Sequence, residues 1–234
     1  MHLSAFTDIL EGGFEPALDA LAGIGLQYVD LRSGLDGFTV DTLQGADIDK
    51  RLKAIAARGL KVGCVASWGV NAMKGDYDPG DAAHRKSMRE RTLHLAKLAH
   101  AAGAANVRVY SFKRPAGRVV SDTDRADNAG FLIELAGICA EFGRVLVIEN
   151  EPPTLTSTCA ELGDLMKRVG FKASNLRVNW DIVNGWRAGE LPWAGGVFDP
   201  IAGYVAHVHV KGAKGASNAS GSTYSTMAVP GTDD

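Results

Sequence analysis

Arg144–Asn150 reads RVLVIEN, Leu176–Asp181 reads LRVNWD and Val205–Gly212 reads VAHVHVKG. Each reads as a short strand in which the acid or histidine comes just after apolar residues. Each also carries a potential metal ligand at or near its C-terminal end: Glu149, Asp181 and His209. A charge in that setting is costly to bury without a partner. In a barrel of parallel strands, the C-terminal ends are where chemistry sits. These three residues are the candidate site.

Outward from these strands, the signals alternate. Strands are expected at His2–Asp8, Gln27–Ser33, Leu60–Ser67 and Ala105–Phe112. Helices are expected from Pro16 to Gly25, from Asp49 to Gly59, from Ala82 to Gly103 and from Asp124 to Gly143. In the third of these Met88, Leu95, Leu98 and Ala102 share a stripe, and in the fourth Phe131, Leu132, Leu135, Ile138 and Phe142 do. Thr158-Cys-Ala-Glu161 is a capping-box pattern that opens a further helix. A loop is expected after LRVNWD, then a short helix near Leu191–Tyr204. The tail from Gly212 is small, polar and aperiodic.

Repeated strand–helix units imply a parallel sheet. Both an open doubly wound sheet and a (β/α)₈ TIM-type barrel fit that alternation. No GxGxxG follows the first strand, and polar residues end several strands. Both points favour the barrel. Seven strands are counted where a barrel has eight.

The 234 residues are 46% hydrophobic and 22% charged, which suits one large core. A net charge of −2 supplies no basic field for a nucleic-acid backbone. No stretch approaches the length of apolar sequence that crosses a bilayer, and the N-terminus lacks a signal-peptide pattern. Cys64, Cys139 and Cys159 have no metal-ligand spacing and read as buried thiols of a reducing compartment. A cytoplasmic protein without nucleic-acid or membrane partners is expected.

Residues i and i+2 of a strand share a face. Asp181 therefore shares one with Asn179, and His207, His209 and Lys211 share another. Two carboxylates and an imidazole suit manganese or magnesium, or a borderline metal such as cobalt or zinc. Such an ion stabilises the charge that forms when a proton leaves the carbon beside a carbonyl. A lone acid closing a strand is more often a solvated residue or a helix cap. One histidine of His-Val-His reads as a supporting residue rather than a ligand. His84, His94 and His100 lie on one helix and read as packing or solvated residues. Trp68 follows a strand end and could stack on a substrate.

VLVIEN, VNWDIVNGWRAGE and HVHVKG together resemble the xylose-isomerase-like barrel superfamily of sugar phosphate isomerases and epimerases. The resemblance runs through nearly the whole chain and implies one barrel domain over residues 1–234. It implies one divalent metal, most often Mn2+. Its usual ligands are a Glu after the fifth strand, an Asp or Glu after the sixth, a His on the seventh and a Glu after the eighth. Glu149, Asp181 and His209 match the first three; the second histidine of the pair is the ligand in epimerase relatives. Many relatives carry a His three positions after the Asp, where this chain has Asn184. The sequence ends on Val229–Asp234 (VPGTDD), which resembles the lead-in to the eighth unit, so that unit and its Glu are expected to be missing. The first and seventh strands would then carry unpaired edges, which recruit other chains, a homo-oligomer among them.

The expected function is proton transfer beside a carbonyl, in a metal-dependent isomerase or epimerase of a small keto-sugar, sugar acid or cyclitol. Glu149 would be ligand and catalytic base, with Arg32, Trp68, Asn184, His207 and Lys211 on the substrate. A dehydratase or lyase on the same scaffold is the alternative enzyme, because removal of the same proton can expel a β-hydroxyl. A non-catalytic sugar-binding barrel is the alternative of another class. The superfamily's DNA-repair endonuclease branch needs more metal ligands and a basic face. Six histidines, three of them on one helix, and the net charge do not provide these.

Overall fold

The computed structural model describes residues 2–67, 80–152, 154–192, 194–212, 214–218 and 221–226, the last two stretches as backbone. Trp68 and Val229–Asp234 lie outside the described residues.

Seven strands form one sheet: β1 (Ser4–Phe6), β2 (Tyr28–Leu31), β3 (Lys61–Ala66), β4 (Asn106–Tyr110), β5 (Val145–Glu149), β6 (Leu176–Asp181) and β7 (Val205–His209). They are hydrogen-bonded in chain order. The pairings of β1 with β2, β2 with β3, β3 with β4 and β6 with β7 are parallel. A helix stands between each strand and the next: α1 (Phe14–Gly23), α2 (Ala46–Ala56), α3 (Ala82–Ala102), α4 (Asp122–Ala140), α5 (Cys159–Val169) and α6 (Ile182–Arg187). Chain-order winding is the barrel arrangement; a doubly wound sheet would reverse its order at a switch point. The seven expected strands are the seven observed, with ends shortened by a few residues.

The chain forms two compact units, one built on β1–β3 with α1–α3, the other on β6 and β7 with α5 and α6. In the first, Phe14, Leu18 and Leu21 of α1 and Met88, Leu95 and Leu98 of α3 are buried, as are Val29, Leu31, Val62 and Val65 of the strands. Arg51 is buried, and it donates to Asp47 at 2.6 Å and to the Leu35 carbonyl at 3.1 Å. His94, half-buried, contacts the Val40 carbonyl at 2.9 Å, and His100, exposed, contacts the Phe142 carbonyl at 3.2 Å. Gly34 has φ +68°, and a Cβ there would lie 2.8 Å from the Cβ of Asp8, so glycine is what lets this turn close on Asp8.

In the second unit Leu162, Leu165, Met166 and Val169 of α5 are buried with Leu176 and Val178 of β6 and Ile201. Thr158 caps α5 by accepting from the Glu161 N–H at 3.2 Å. The reciprocal bond of the expected capping box is shifted by one residue: Glu161 accepts from the Ser157 N–H at 2.9 Å.

α4 opens on a box that the sequence reading passed over. Ser121 accepts from the Asp124 N–H at 3.1 Å, and Asp124 accepts from the Ser121 N–H at 2.8 Å. Arg118 forks onto the same carboxylate at 2.5 and 2.9 Å and, with Ser121, holds its pKa well below the ordinary carboxylate range. A depressed carboxylate stabilises the fold above its unfolded-state pKa, and that contribution is lost as pH falls through the folded-state value. Asp124→Asn is therefore expected to cost about 1 kcal/mol at neutral pH. The gap from the parent should start to close as pH drops below about 4. Urea melts of both chains at pH 7 and at successively lower pH check this; a gap that widens in acid would refute it.

Two expectations are corrected. No helix forms among the described residues of 191–204; successive tight turns do, with Ala194 N–H bonded to Leu191 O, Ile201 to Phe198 O and Tyr204 to Ile201 O. Pro192 and Pro200 lack the amide hydrogens a helix needs, and Gly195, Gly196 and Gly203 favour turns. The stretch just after β6, expected as loop, is instead α6, because Asp181 caps it. The tail also holds structure that its aperiodic sequence did not announce: β8 (Lys214–Asn218) and β9 (Gly221–Thr226) form an antiparallel hairpin. Among the described residues, no helix is long and apolar enough to cross a membrane.

Candidate metal centre

Glu149, Asp181 and His209 come together, all buried, with one ligand atom from each lying within 4.8 Å of the others. Three local features place them.

The first is register. Asp181 and His209 are direct neighbours across the β6–β7 pair, and Asn179 faces His207. An irregularity between Val178 and Asn179 makes this so, because Val178 pairs with Val205 while Asn179 pairs with His207. Ala206 is the extra residue. Without that one-residue slip Asp181 would stand beside Val208, whose side chain is on the other face. Burial confirms the faces: His209 is buried while Val208 and Val210 are exposed.

The second is Asn150, fully buried and just past the end of β5. Its side chain acts as one more backbone unit. Nδ2 donates to the Asp181 carbonyl at 2.9 Å, and Oδ1 accepts from the Asp181 N–H at 2.7 Å. This ties the end of β5, one residue past Glu149, to the backbone of Asp181 itself at the end of β6.

The third is α6. Asp181 Oδ1 accepts from the Asn184 N–H at 2.9 Å, which fixes the carboxylate and turns Asn184 back toward β5. Asn184 Nδ2 then lies 3.3 Å from Glu149 Oε1, 3.0 Å from the Asn150 carbonyl and 2.9 Å from Glu151 Oε2. The chain leaving α6 returns Glu190 to the start of α5, where it accepts from the Cys159 N–H at 2.8 Å.

Within the triad, His209 Nδ1 is 3.0 Å from Glu149 Oε1 and 3.6 Å from Asp181 Oδ2. Asn179 Nδ2 lies 3.3 Å from the same ring, and its Oδ1 is buried without a hydrogen-bond partner. Lys211 forms an ion pair with Asp181 Oδ2. Glu151 brings a third carboxylate, with Arg187 at 3.5 Å. Burial, and then the neighbouring Glu149, push the Glu151 carboxyl above its ordinary range. A cluster this acidic and this buried calls for positive charge. The donor set of two carboxylate oxygens and one imidazole nitrogen, held at this spacing, fits a divalent cation.

Of the residues expected at the substrate, Asn184 and Lys211 stand in this cluster. His207 is half-buried, its ring 5.4 Å from that of His209. Arg32, in the first unit, forms a two-point ion pair with Asp8 at 3.0 Å and lies 4.2 Å over the Phe6 ring. Glu151, Asn150 and Arg187 were not singled out from sequence. Glu151 had a readable signal, since it stands two residues after Glu149; the roles of Asn150 and Arg187 depend on tertiary placement. Cys64, Cys139 and Cys159 are buried and not in disulfides, and burial pushes the thiols of Cys139 and Cys159 up to about 12.

No curated protein matches the chain by sequence. Solved structures do match its fold. A xylose isomerase-like TIM barrel protein from Mycobacterium smegmatis in complex with magnesium is 15% identical, with TM-score 0.71 over 95% of this chain and 79% of that one. The probable 3-DHS dehydratase AsbF from Bacillus anthracis is 18% identical, with TM-score 0.70 over 91% of this chain and 74% of that one. D-psicose 3-epimerase from Clostridium cellulolyticum, solved with D-tagatose, is 16% identical, with TM-score 0.69 over 89% and 72%. The family profile described as xylose isomerase-like TIM barrel matches residues 18–233. With its seven strands wound in chain order and that match over nearly its whole length, the chain belongs to the xylose isomerase-like TIM barrel family.

Proposed function

We propose that the chain is a divalent-metal-dependent enzyme of small carbohydrates that moves a proton on the carbon beside a carbonyl, as an isomerase or epimerase. The observation that carries the reading is the buried meeting of Glu149, Asp181 and His209 at neighbouring strand ends. Those residues would hold the metal; the donor set suits manganese, magnesium, cobalt or zinc, and the family resemblance makes manganese the first choice. The bound ion supplies Lewis acidity, stabilising negative charge on the substrate oxygen. Fold neighbours that include an epimerase solved with a sugar and a protein solved with magnesium fit this reading.

The chain's own residues divide the work. Glu149 Oε1 is oriented by His209 and by the Asn184 amide, so one carboxylate oxygen has a fixed direction. Glu149 takes the proton from the substrate carbon and, in an isomerase, delivers it to the neighbouring carbon; in an epimerase a second acid on the opposite face of that carbon would return a proton. Asn184, held by its own backbone bond to Asp181 and with its amide hydrogens on Glu149, Asn150 and Glu151, is a proposed substrate contact through its side-chain oxygen. Lys211, His207, Arg32 and Trp68 are the further proposed substrate contacts. The buried free thiols suit the reducing cytoplasm. A dehydratase begins with the same proton removal and ends in loss of a β-hydroxyl as water. The AsbF-like fold neighbour keeps that reading open as the second outcome of the same experiment.

The test is proton exchange. The purified chain with manganese is incubated in heavy water with a panel of keto-sugars, sugar acids and cyclitols and followed by NMR. Deuterium should enter one carbon beside the carbonyl of at least one substrate, and the Glu149→Gln variant should not support this. An unsaturated product would select the dehydratase. Binding of a panel member without exchange would select a sugar-binding barrel and overturn the enzyme reading.

A further inference from the structure

We infer that Lys211 is a resident counter-ion, which occupies the cation's place on Asp181 in the metal-free chain and so sets how tightly the site takes a metal. This rests on the metal-centre reading above. It starts from one carboxylate. Asp181 is fully buried, and its two oxygens have different work. Oδ1 accepts from the Asn184 N–H at 2.9 Å and is committed to the start of α6. Oδ2 is the oxygen that faces His209 Nδ1, at 3.6 Å, and is therefore the one turned into the triad. That same oxygen carries the Lys211 ammonium.

An ammonium and a divalent cation on one carboxylate oxygen would bring like charges to within about a contact distance of each other, in a buried setting where screening is weak. Loading the triad therefore requires Lys211 to withdraw. The structure provides for this. The Lys211 side chain is 28% exposed while that of Asp181 is 0%, so the ammonium has a route to water that the carboxylate lacks. Lys211 also lies past the end of β7 at His209, where its movement breaks no ladder bond. Once withdrawn, it stands beside the site as a free cationic donor for substrate oxygens.

Arg187 is the natural comparison. It is a second cation of the same cluster, but it faces Glu151, which is not one of the triad, at 3.5 Å. A diffuse effect of positive charge would be shared by both residues; place-holding belongs to Lys211 alone.

Two effects of opposite sign are expected in Lys211→Met, with Lys211→Gln as the second variant. The metal-free protein should melt lower, because buried Asp181 loses its partner. Manganese should bind more tightly, by about tenfold or more, which corresponds to about 1.4 kcal/mol. Arg187→Met should raise the affinity clearly less. Calorimetric titration with manganese and thermal melts without metal read both effects. Unchanged or weaker manganese binding in the Lys211 variants, or an equal gain in Arg187→Met, overturns the inference while leaving the metal centre standing. If neither the parent chain nor any variant binds manganese, the metal-centre reading fails and this one with it.

Discussion

Glu149→Gln and His209→Ala should each weaken manganese binding on the order of 100-fold or more, against about tenfold or less for His207→Ala. The three residues are close in space, so the contrast tests roles rather than neighbourhood. Glu149 and His209 meet at 3.0 Å and both face Asp181. Removing either leaves the ion with an open position and leaves the surviving buried groups without it. His207 stands two residues back on the same strand, half-buried, with its ring edge-on to that of His209. Its loss changes packing around the ligand and leaves the donor set whole. Calorimetric titration of the three variants and the parent decides the matter. Equal affinities across the three would refute the assignment.

The second large effect belongs to a residue that touches no metal in this scheme. Asn150→Ala is expected to destabilise the chain by about 2–4 kcal/mol, since it strands two buried backbone groups of Asp181 at once. Asn150 is itself fully buried, and its two bonds to Asp181, at 2.7 and 2.9 Å, tie the ends of β5 and β6 together. Manganese affinity should fall as well, because the Asp181 carboxylate is positioned by its backbone. Asn150→Asp is a useful partner variant: it keeps the acceptor and loses the donor, so it should destabilise while leaving the Asp181 N–H satisfied. Urea melts with and without manganese measure both terms. A stability change within about 0.5 kcal/mol for Asn150→Ala would show that the bridge is incidental.

Much of this was legible in the sequence, for specific physical reasons. The apolar runs of β5, β6 and β7 read as buried strands, and a charge at the end of such a strand is costly to bury without a partner. That brought out Glu149, Asp181 and His209 before any coordinates. The choice of His209 over His207 rests on the family pattern; in the structure His209 is the one paired with Asp181 across β6 and β7, and His207 is paired with Asn179. The slip at Val178/Asn179 that creates this register leaves no mark in the local sequence: apolar alternation alone would turn Val208 and Val210 inward, whereas both are exposed and His209 is buried. The helix after β6 was missed for a related reason. Ile182–Arg187 is too short to show a 3.6-residue period, and its cap, Asp181, had already been assigned to a strand end and a metal. Asn150 read as an ordinary polar residue closing a strand. Its role depends on where the neighbouring strand stops, which is a tertiary fact.

The most direct measurement is anomalous diffraction from crystals of the chain soaked in manganese. One strong peak is expected, bonded to Glu149, Asp181 Oδ2 and His209, with Asn150 still bridging the ends of β5 and β6. A triad that stays without manganese at saturating concentration, or a peak held by other residues, would contradict the central claim that these three strand ends form a metal centre.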